Sequence, residues 1–254
     1  MTPDVVVDIG NSRMKWGLCR SGRVREKVSL PLSQSAAWSD QLTGWNITGQ
    51  DRWAVAGVNP PRLRRFLSWL GTRAGAVATI DHWHFNGLTV AVDKPTQVGI
   101  DRLLTALAAR RIAPSDRPVI VINVGTAMTV DLVDVAATFA GGAILPGPTL
   151  MARSLHDYTA KLPRVSIDPV KPLATWGRNT RDAIELGIGA AITGAADFLV
   201  WEWANRFDPT PSVYVTGGDS GYFAGFEFTA DVGPAVINDN LTLEGIRLAA
   251  EALP

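Results

Sequence analysis

The sequence predicts an α/β fold built from two similar halves, and three observations indicate this. Short apolar runs at residues 5–7 and 119–122 each lead into a glycine turn, which is typical of buried strands. Segments with helical spacing of apolar residues follow the strands, and strands that alternate with helices favour α/β layers. The strand–turn–strand unit around Gly10 also recurs around Gly125, close to half of the 254-residue chain later.

Each of these turns lies inside a predicted β-hairpin. The turn at Gly10 is followed by alternating apolar and polar residues at 14–20, and the turn at Gly125 is followed by a second strand at 128–133. Two short strands around a tight turn are typical of a hairpin. A third strand is predicted at residues 213–215, where it also runs into a glycine turn.

The segment of residues 110–118 contains two prolines and four charged residues, which is typical of a link between domains. We therefore expect one domain over residues 1–115 and a second over residues 116–254. Because short apolar hairpins also resemble one another by chance, coincidence is the alternative to a true duplication.

Helices are predicted after the strands in both halves. Apolar residues recur at helical spacing over residues 98–112, with Asp101 in the first turn. Asn179 can cap a second helix, and residues 241–252 form a closing helix. The apolar stretch at residues 183–204 contains three acidic residues, so we expect a buried or interfacial helix rather than a membrane span.

The overall charge and composition favour a protein that acts on small molecules. The 24 Lys and Arg residues balance 24 Asp and Glu residues, so we expect neither nucleic acid nor an anionic membrane as a partner. The start of the chain has no positively charged region followed by a long apolar run, so we expect no signal peptide and a cytoplasmic protein. The single cysteine, Cys19, excludes a disulfide framework and is predicted to lie in the core.

The glycine turns at Gly10, Gly125 and Gly217 are candidates for binding phosphate groups. Glycine lets the backbone approach a ligand and turn its N–H groups toward an anion. Neither a P-loop nor a dinucleotide-binding fingerprint is present, and ordinary hairpin turns are the alternative for any one of the three. The donor side chains beside the turns are those of Asn11, Ser12, Lys15, Thr126 and Thr129.

Asp101 is the strongest candidate for a general base. A carboxylate in the first turn of a helix is kept ionised by the helix dipole, and beside a hydroxyl it can accept the proton during phosphoryl transfer. The alternative is a structural capping residue that forms a salt bridge with Arg102 or Arg110.

Two further groups of side chains are predicted to be structural. Arg62, Arg64 and Arg65 are expected on the solvated face of a helix. His82 and His84 have the spacing of a metal-binding pair, but the sequence contains only one other histidine and zinc needs further ligands. We therefore expect an exposed strand or loop end at this pair.

Several motifs resemble those of one family, the type III pantothenate kinases. Residues 8–15 (DIGNSRMK) resemble its first phosphate motif, residues 99–102 (GIDR) its G-x-D-R motif, and residues 123–129 (NVGTAMT) its D-x-G-T-A-x-T motif. Further matches follow in the same order at residues 141–147, 177–180 and 216–219.

The resemblance implies a duplicated actin-like, ribonuclease-H-like fold, shared by acetate kinase, sugar kinases, Hsp70 and actin, with ATP in the cleft between the halves. It implies that a phosphoryl group passes from ATP to the primary hydroxyl of pantothenate, giving 4′-phosphopantothenate in the first step toward coenzyme A. The residues implied to bind ATP are Asp8, Ile9, Gly10, Asn11, Ser12, Arg13, Met14, Lys15, Thr126, Gly217 and Gly218.

The same resemblance implies roles for other side chains. Asp8 would help to hold a divalent cation, most simply Mg²⁺. Asp101 would act as the base. Thr180 would reach pantothenate from the partner subunit of a homodimer. The residues implied to hold pantothenate are Gly99, Ile100, Asp101, Arg102 and Thr180.

The sequence departs from the family pattern in two places. Asn123 stands where the family has an Asp that binds a monovalent cation, K⁺ or NH₄⁺, so we expect that site to be weaker or lost. Residues 92–98 contain no aromatic residue, although the family has a Tyr there that lines the pantothenate site. Two alternatives therefore stay open: a non-catalytic, Baf-like transcriptional accessory protein, and a kinase for another small hydroxyl compound.

Overall fold

The computed structural model describes residues 1–82, 87–171 and 175–253. They form two compact units. Unit 1 contains Met1–Arg111, Ala137–Phe139 and the C-terminal segment from Asn240 onward, and unit 2 contains the remainder. The division of the sequence into residues 1–115 and 116–254 stays a prediction about the two halves of the chain.

The sheet of unit 1 has five strands: β1 (Val5–Ile9), β2 (Met14–Arg20), β3 (Arg23–Leu30), β4 (Arg52–Gly57) and β5 (Ala76–Thr79). Their order is β3-β2-β1-β4-β5. β1 pairs antiparallel with β2 and parallel with β4, and β5 continues the parallel part. A short strand, β6 (Thr89–Val90), pairs with the residues Thr138 and Phe139, which also belong to unit 1.

The sheet of unit 2 has the same plan. Its strands are β7 (Val119–Val124), β8 (Ala127–Val133), β9 (Thr138–Pro146), β10 (Ser212–Thr216) and β11 (Val236–Ile237). Their order is β11-β10-β7-β8-β9, with β7 antiparallel to β8 and parallel to β10. Thus β7 occupies in unit 2 the position that β1 occupies in unit 1, and the duplication predicted from Gly10 and Gly125 is confirmed.

Six α-helices lie within the described residues. Two of them, the helix predicted from apolar spacing over residues 98–112 and the helix predicted after the Asn179 cap, begin within two residues of their expected starts. Three short 3₁₀ turns accompany them, at Gly71–Arg73, Pro95–Gln97 and Ser220–Phe223. The helices are α1 (Ser35–Gly44), α2 (Pro60–Leu70), α3 (Ile100–Ile112), α4 (Pro148–Asp157), α5 (Thr180–Ala204) and α6 (Leu241–Glu251).

Aromatic rings fill the core of unit 1. Trp16 of β2 meets Trp53 of β4 edge-on, with ring centroids 5.1 Å apart, and meets Phe66 of α2 at 5.7 Å. Trp38 of α1 meets Trp69 of α2 at 5.2 Å. Such pairs contribute about 0.5–1.5 kcal/mol each beyond the area that they bury. The cluster therefore fixes α2 against the β1–β2 hairpin.

The C-terminal helix α6 completes unit 1. Gly245 lies against the backbone of Leu104 in α3, where a side chain would overlap the Leu104 carbonyl group. Glu244 accepts a hydrogen bond from the backbone N–H of Val24 at 2.7 Å. These contacts explain why the last segment of the chain belongs to unit 1.

Helix α5 packs along the hydrophobic core of unit 2. Its buried side chains recur every four residues and pack with β7, β8 and β10 in one cluster; they include Ile184, Ile188, Ile192, Ala196 and Val200. α5 is also the one described helix long and apolar enough to cross a membrane, with a mean hydropathy of 1.6. Because its buried face lies in the core of unit 2, the prediction of a buried or interfacial helix holds for that face.

The turn after β10 allows a direct test of the fold at two adjacent glycines. Gly217 has φ +107° and its Cα faces the Val124 carbonyl group, whereas Gly218 has open space around it. We expect Gly217→Ala to lower the free energy of unfolding by about 2 kcal/mol or more, because it adds backbone strain and a steric overlap. Gly218→Ala should change it by less than about 1 kcal/mol. Urea denaturation measures both, and equal losses would contradict the turn geometry.

Candidate active site

The β1–β2 hairpin brings a carboxylate and an ammonium group to the same end of the sheet. Asp8 of β1 lies directly opposite Lys15 of β2 in the antiparallel register. The turn between them is closed by a hydrogen bond of 3.1 Å from the Gly10 N–H to the Arg13 carbonyl. Directly opposed residues project on the same face of the sheet. Asp8 and Lys15 therefore form a pair of opposite charges beside a glycine turn.

Helix α2 holds the tip of this hairpin. The Arg62 guanidinium donates a hydrogen bond to the Asn11 carbonyl, and the Asn59 amide donates to the Asn11 side chain at 3.4 Å. Asn59 is also the N-cap of α2 and accepts from the Arg62 N–H at 3.2 Å. Arg64 and Arg65 are exposed, as predicted, whereas Arg62 is half-buried and its head group reaches across to the turn.

Asp101 lies in the first turn of α3, as predicted. Its Oδ1 accepts a hydrogen bond from the Arg102 backbone N–H at 2.9 Å, and Thr105 Oγ1 donates to the Asp101 carbonyl at 2.6 Å. A Cβ on Gly99 would lie 2.6 Å from Asp101 Oδ1, so a side chain there would force this carboxylate to move. The G-x-D-R pattern thus has a steric reason in this chain.

Burial raises the pKa of both carboxyl groups. Desolvation raises the pKa of Asp8 from 3.8 to about 6; Lys15 opposes the shift, and the charge of Asp101 adds to it. Desolvation also raises the pKa of Asp101, against the Arg102 N–H and the positive charges of Arg102 and Lys15. Each group responds to the same ammonium, so Asp8, Lys15 and Asp101 form one electrostatic cluster within unit 1.

This cluster has the chemistry of a phosphoryl-transfer site. A buried carboxylate with a raised pKa is a better proton acceptor than an exposed one. Lys15 supplies a positive charge beside a glycine turn, where phosphate oxygens find both a cation and backbone donors. Within the described stretches no three His, Cys, Asp or Glu side chains form a metal cluster.

Unit 2 places its own glycine turns at the ends of β7 and β10. The turn of Thr126 is tied to the start of α4, because the Gly147 N–H donates to the Thr126 carbonyl at 3.0 Å. The Asp219 N–H donates to the Val124 carbonyl at 3.0 Å, which joins the Gly217 turn to β7. Thr126, Gly217 and Gly218 are therefore brought together at one end of this sheet.

Asn123 is the counterpart in β7 of Asp8 in β1. It lies opposite Thr129 in the β7–β8 register and beside Thr216 of β10. The Thr129 hydroxyl is buried and has no hydrogen-bond partner among the described residues. This part of unit 2 therefore presents neutral oxygen atoms of an amide and hydroxyl groups, where the first hairpin presents a carboxylate and an ammonium.

Thr180 begins α5 and is exposed on unit 2. Asn179 caps the helix, as predicted, and accepts from the Asp182 N–H at 3.0 Å. The preceding Gly177 packs against Ala183, which fixes the entry into the helix. Sequence reasoning placed Thr180 in the site through a partner subunit, and that placement stays a prediction.

The histidine pair is only partly covered by the structure. His82 contacts the Asp81 carboxylate through Nδ1 at 2.8 Å and the Val98 carbonyl through Nε2 at 2.6 Å. Its ring is thus engaged by neighbouring acceptors just before the Gly99 turn. His84 lies outside the described residues.

Comparison with solved structures identifies the class to which this fold belongs. A Baf family transcriptional activator from Campylobacter jejuni has a TM-score of 0.61 at 19% identity and covers 97% of both chains. The (R)-2-hydroxyglutaryl-CoA dehydratase component A of Acidaminococcus fermentans has a TM-score of 0.54 at 14% identity over 99% of both chains. An archaeal actin homolog has a TM-score of 0.53 at 11% identity. The fold is therefore the actin-like, ribonuclease-H-like fold.

Sequence comparison identifies the family within this class. A family model described as type III pantothenate kinase matches residues 5–201. The type III pantothenate kinase of Gluconobacter oxydans is 34% identical over 97% of this chain and 92% of its own length, and that of Cupriavidus taiwanensis is 32% identical over 98% of each. The chain belongs to the type III pantothenate kinase family, which confirms the resemblance seen in the motifs.

The raised pKa of Asp8 predicts how stability depends on pH. The folded protein favours protonated Asp8, and this contribution is complete below pH 3.8 and lost as the pH rises through about 6. We therefore expect Asp8→Asn, which removes the charge and keeps the shape, to raise the Tm of the ligand-free protein above about pH 6 and to change it little near pH 4.

Thermal unfolding at about pH 4.5 and about pH 7.5 measures this difference. Asp116→Asn is a matched control, because Asp116 is exposed in the loop before β7. A Tm difference between wild type and Asp8→Asn that is the same at both pH values would show that Asp8 is not buried as a destabilising charge.

Proposed function

We propose that this protein transfers the terminal phosphoryl group of ATP to the primary hydroxyl of pantothenate, giving 4′-phosphopantothenate in the first step of coenzyme A synthesis. One observation carries the proposal: Asp101, Lys15 and Asp8 form a single electrostatic cluster at the glycine turn of unit 1. The relatives from Gluconobacter oxydans and Cupriavidus taiwanensis, both named type III pantothenate kinase, support the choice of substrate.

In the proposed mechanism, Asp101 accepts the proton of the attacking hydroxyl. The new oxygen–phosphorus bond forms at the terminal phosphorus of ATP while the bond to the ADP oxygen breaks, and ADP leaves. Because this reaction needs little covalent help, positioning, charge screening and a proton acceptor supply most of the rate increase. The hydrogen bond from the Arg102 N–H orients the Asp101 carboxylate for this task.

We propose ATP-binding residues for each unit separately. In unit 1, Lys15 and the backbone of residues 8–15 bind the phosphates. The closed turn at Gly10 and the bonds from Asn59 and Arg62 hold this segment in place before ATP arrives, so little ordering is needed on binding. In unit 2, Thr126, Gly217 and Gly218 also bind ATP; Gly218 has no neighbour within 4 Å of its Cβ position and leaves room for a ligand.

A divalent cation, most simply Mg²⁺, fits the environment of Asp8. The raised pKa of Asp8 means that Lys15 does not fully compensate the buried negative charge. Mg²⁺ is typically held by one or two carboxylates together with substrate phosphates and water, which suits a lone carboxylate beside a phosphate-binding turn. The cation would neutralise charge on the phosphates when it is bound.

We propose that a monovalent cation, K⁺ or NH₄⁺, binds weakly or not at all. Asn123 offers an amide oxygen, and Thr129 a buried hydroxyl, but neither carries a charge. A carboxylate at residue 123 would add the missing charge, so the neutral pair should hold K⁺ less tightly.

The acceptor site is proposed to include Gly99, Ile100 and Arg102 around Asp101. Thr180 would join it from the partner subunit of a homodimer, and the exposed apolar residues Phe198 and Trp201 of α5 are consistent with such a contact. The balanced charge of the chain favours a small-molecule substrate over nucleic acid or an anionic membrane. Because the reaction consumes ATP, we place it in the cytoplasm.

Replacing the proposed base tests this function. Asp101→Asn keeps the shape and the hydrogen-bond acceptor but cannot take up the proton, so we expect pantothenate-dependent ADP release to fall by at least about 100-fold. The matched control is Asp116→Asn, which removes an exposed carboxylate and should leave the rate unchanged. An Asp101→Asn variant with the wild-type rate would remove Asp101 from the role of base.

The same assay separates the two alternatives. A kinase for another compound would release ADP with a different small alcohol in an acceptor panel and remain inactive with pantothenate. A non-catalytic regulator would be inactive with the whole panel although it is folded. Nothing in the fold or in the comparisons favours either alternative over pantothenate.

The monovalent site is tested by restoring its charge. We expect the wild-type rate to be nearly equal in sodium and potassium buffers of the same ionic strength. Asn123→Asp should introduce stimulation by K⁺, because the added carboxylate attracts the cation. Steady-state ADP release in the two buffers measures this, and steep stimulation of the wild type by K⁺ would contradict the weak site.

A further inference from the structure

A cavity of about 720 Å³ in unit 1 adjoins the segment proposed to bind the ATP phosphates, because Ser12 and Arg13 belong to its lining. The β1–β2 turn, the segment after β3 and the start of α2 form its walls. Three arginines line it, Arg13, Arg62 and Arg65, together with Ser12 and Ser33. Its volume lies within the range of about 300–1,000 Å³ that is usual for small-molecule sites.

The positive charge of this cavity is not compensated by its lining. No Asp or Glu lines it, and within the described part of the chain none of the three arginines forms a salt bridge. Arg62 and Arg65 each donate to a neutral backbone carbonyl, those of Asn11 and Ser33, the second at 3.1 Å. A guanidinium has five N–H donors, so both retain several for a ligand.

The N-terminus of α2 does not supply the binding groups. Pro60 and Pro61 have no N–H, and the next two N–H groups, of Arg62 and Leu63, already bond to Asn59 at 3.2 and 2.9 Å. The first N–H groups of α2 are therefore not available to an anion in the cavity, and the charged donors of its lining are the arginine side chains. The planar guanidinium fork matches two oxygens of a phosphoryl group or of a carboxylate, and a phosphoryl group carries a further oxygen and more negative charge for a second arginine.

The walls of the cavity are fixed before a ligand binds. Phe66 and Trp69 anchor α2 in the aromatic core of unit 1, and their ring centroids lie 5.6 Å apart. The Trp38 indole N–H donates to the carbonyl of Pro31, a lining residue, at 2.8 Å. A site with its charged groups already in place binds with little ordering of side chains.

We propose that this cavity is a second anion site, one that takes a phosphorylated small molecule through Arg62 and Arg65. The cavity shares Ser12 and Arg13 with the segment assigned to ATP, but its two defining arginines, Arg62 and Arg65, lie on α2 and outside that segment. The bond from Arg62 to the Asn11 carbonyl links the two sites, so a bound anion acts on the tip of the phosphate-binding hairpin. The proposal goes beyond the kinase function and does not depend on it.

Titration with inorganic pyrophosphate in the absence of pantothenate tests the site, with tryptophan fluorescence or calorimetry at constant ionic strength as the readout. We expect Arg65→Gln to weaken binding about tenfold or more, since a charge-assisted hydrogen bond contributes about 1.5–3 kcal/mol. Arg64→Gln is the matched control, because it removes the same charge from the same helix at an exposed position outside the cavity, and it should weaken binding less than about twofold.

Equal weakening by the two variants, or no binding of pyrophosphate to the wild type, would overturn the proposal. A second titration in the presence of saturating ATP separates the sites. Pyrophosphate binding that persists with ATP bound supports a second site, and complete displacement by ATP overturns it. Because no acceptor is present, failure of the protein to phosphorylate pantothenate would leave these outcomes unchanged.

Discussion

The register of one antiparallel strand pair is the constraint on which the site depends. It places Asp8 opposite Lys15 on one face of the sheet, and it places Val7 opposite Trp16 in the adjacent step. A slip of β2 by one residue would turn Lys15 and Trp16 to the other face. Trp16 would then leave the aromatic core that holds α2, and the bonds from α2 to the turn would be lost with it. Core packing and site geometry are therefore two results of the same pairing.

The electrostatics of the site depend on an imbalance between its buried negative and positive groups. Two carboxylates, Asp8 and Asp101, are desolvated near a single ammonium group, and the ammonium does not offset both. The ligand-free protein is thus left with a negative charge that a divalent cation or a proton can relieve. The uncompensated charge makes the ligand-free protein less stable than the protein with its substrates bound. Catalytic sites commonly lower the stability of the free protein in this way.

The sequence predicted the parts of the fold that local patterns determine. The hairpins at Gly10 and Gly125, the position of Asp101 in the first turn of α3 and the cap at Asn179 all depend on residues close together in the chain. What it did not predict depends on distant contacts. Arg62 is half-buried because it bonds to a carbonyl 51 positions away, and α6 joins unit 1 because Gly245 fits against Leu104.

The most direct test of the central claim is the titration of the two carboxylates themselves. Carbon-13 NMR of the Asp side chains in the ligand-free protein would give the pKa of Asp8, which the account predicts to be about 6. In a Lys15→Met variant the pKa values of Asp8 and Asp101 should both rise, because the opposing ammonium is gone. An Asp8 that titrates near 3.8, unchanged by the loss of Lys15, would contradict the cluster and the mechanism built on it.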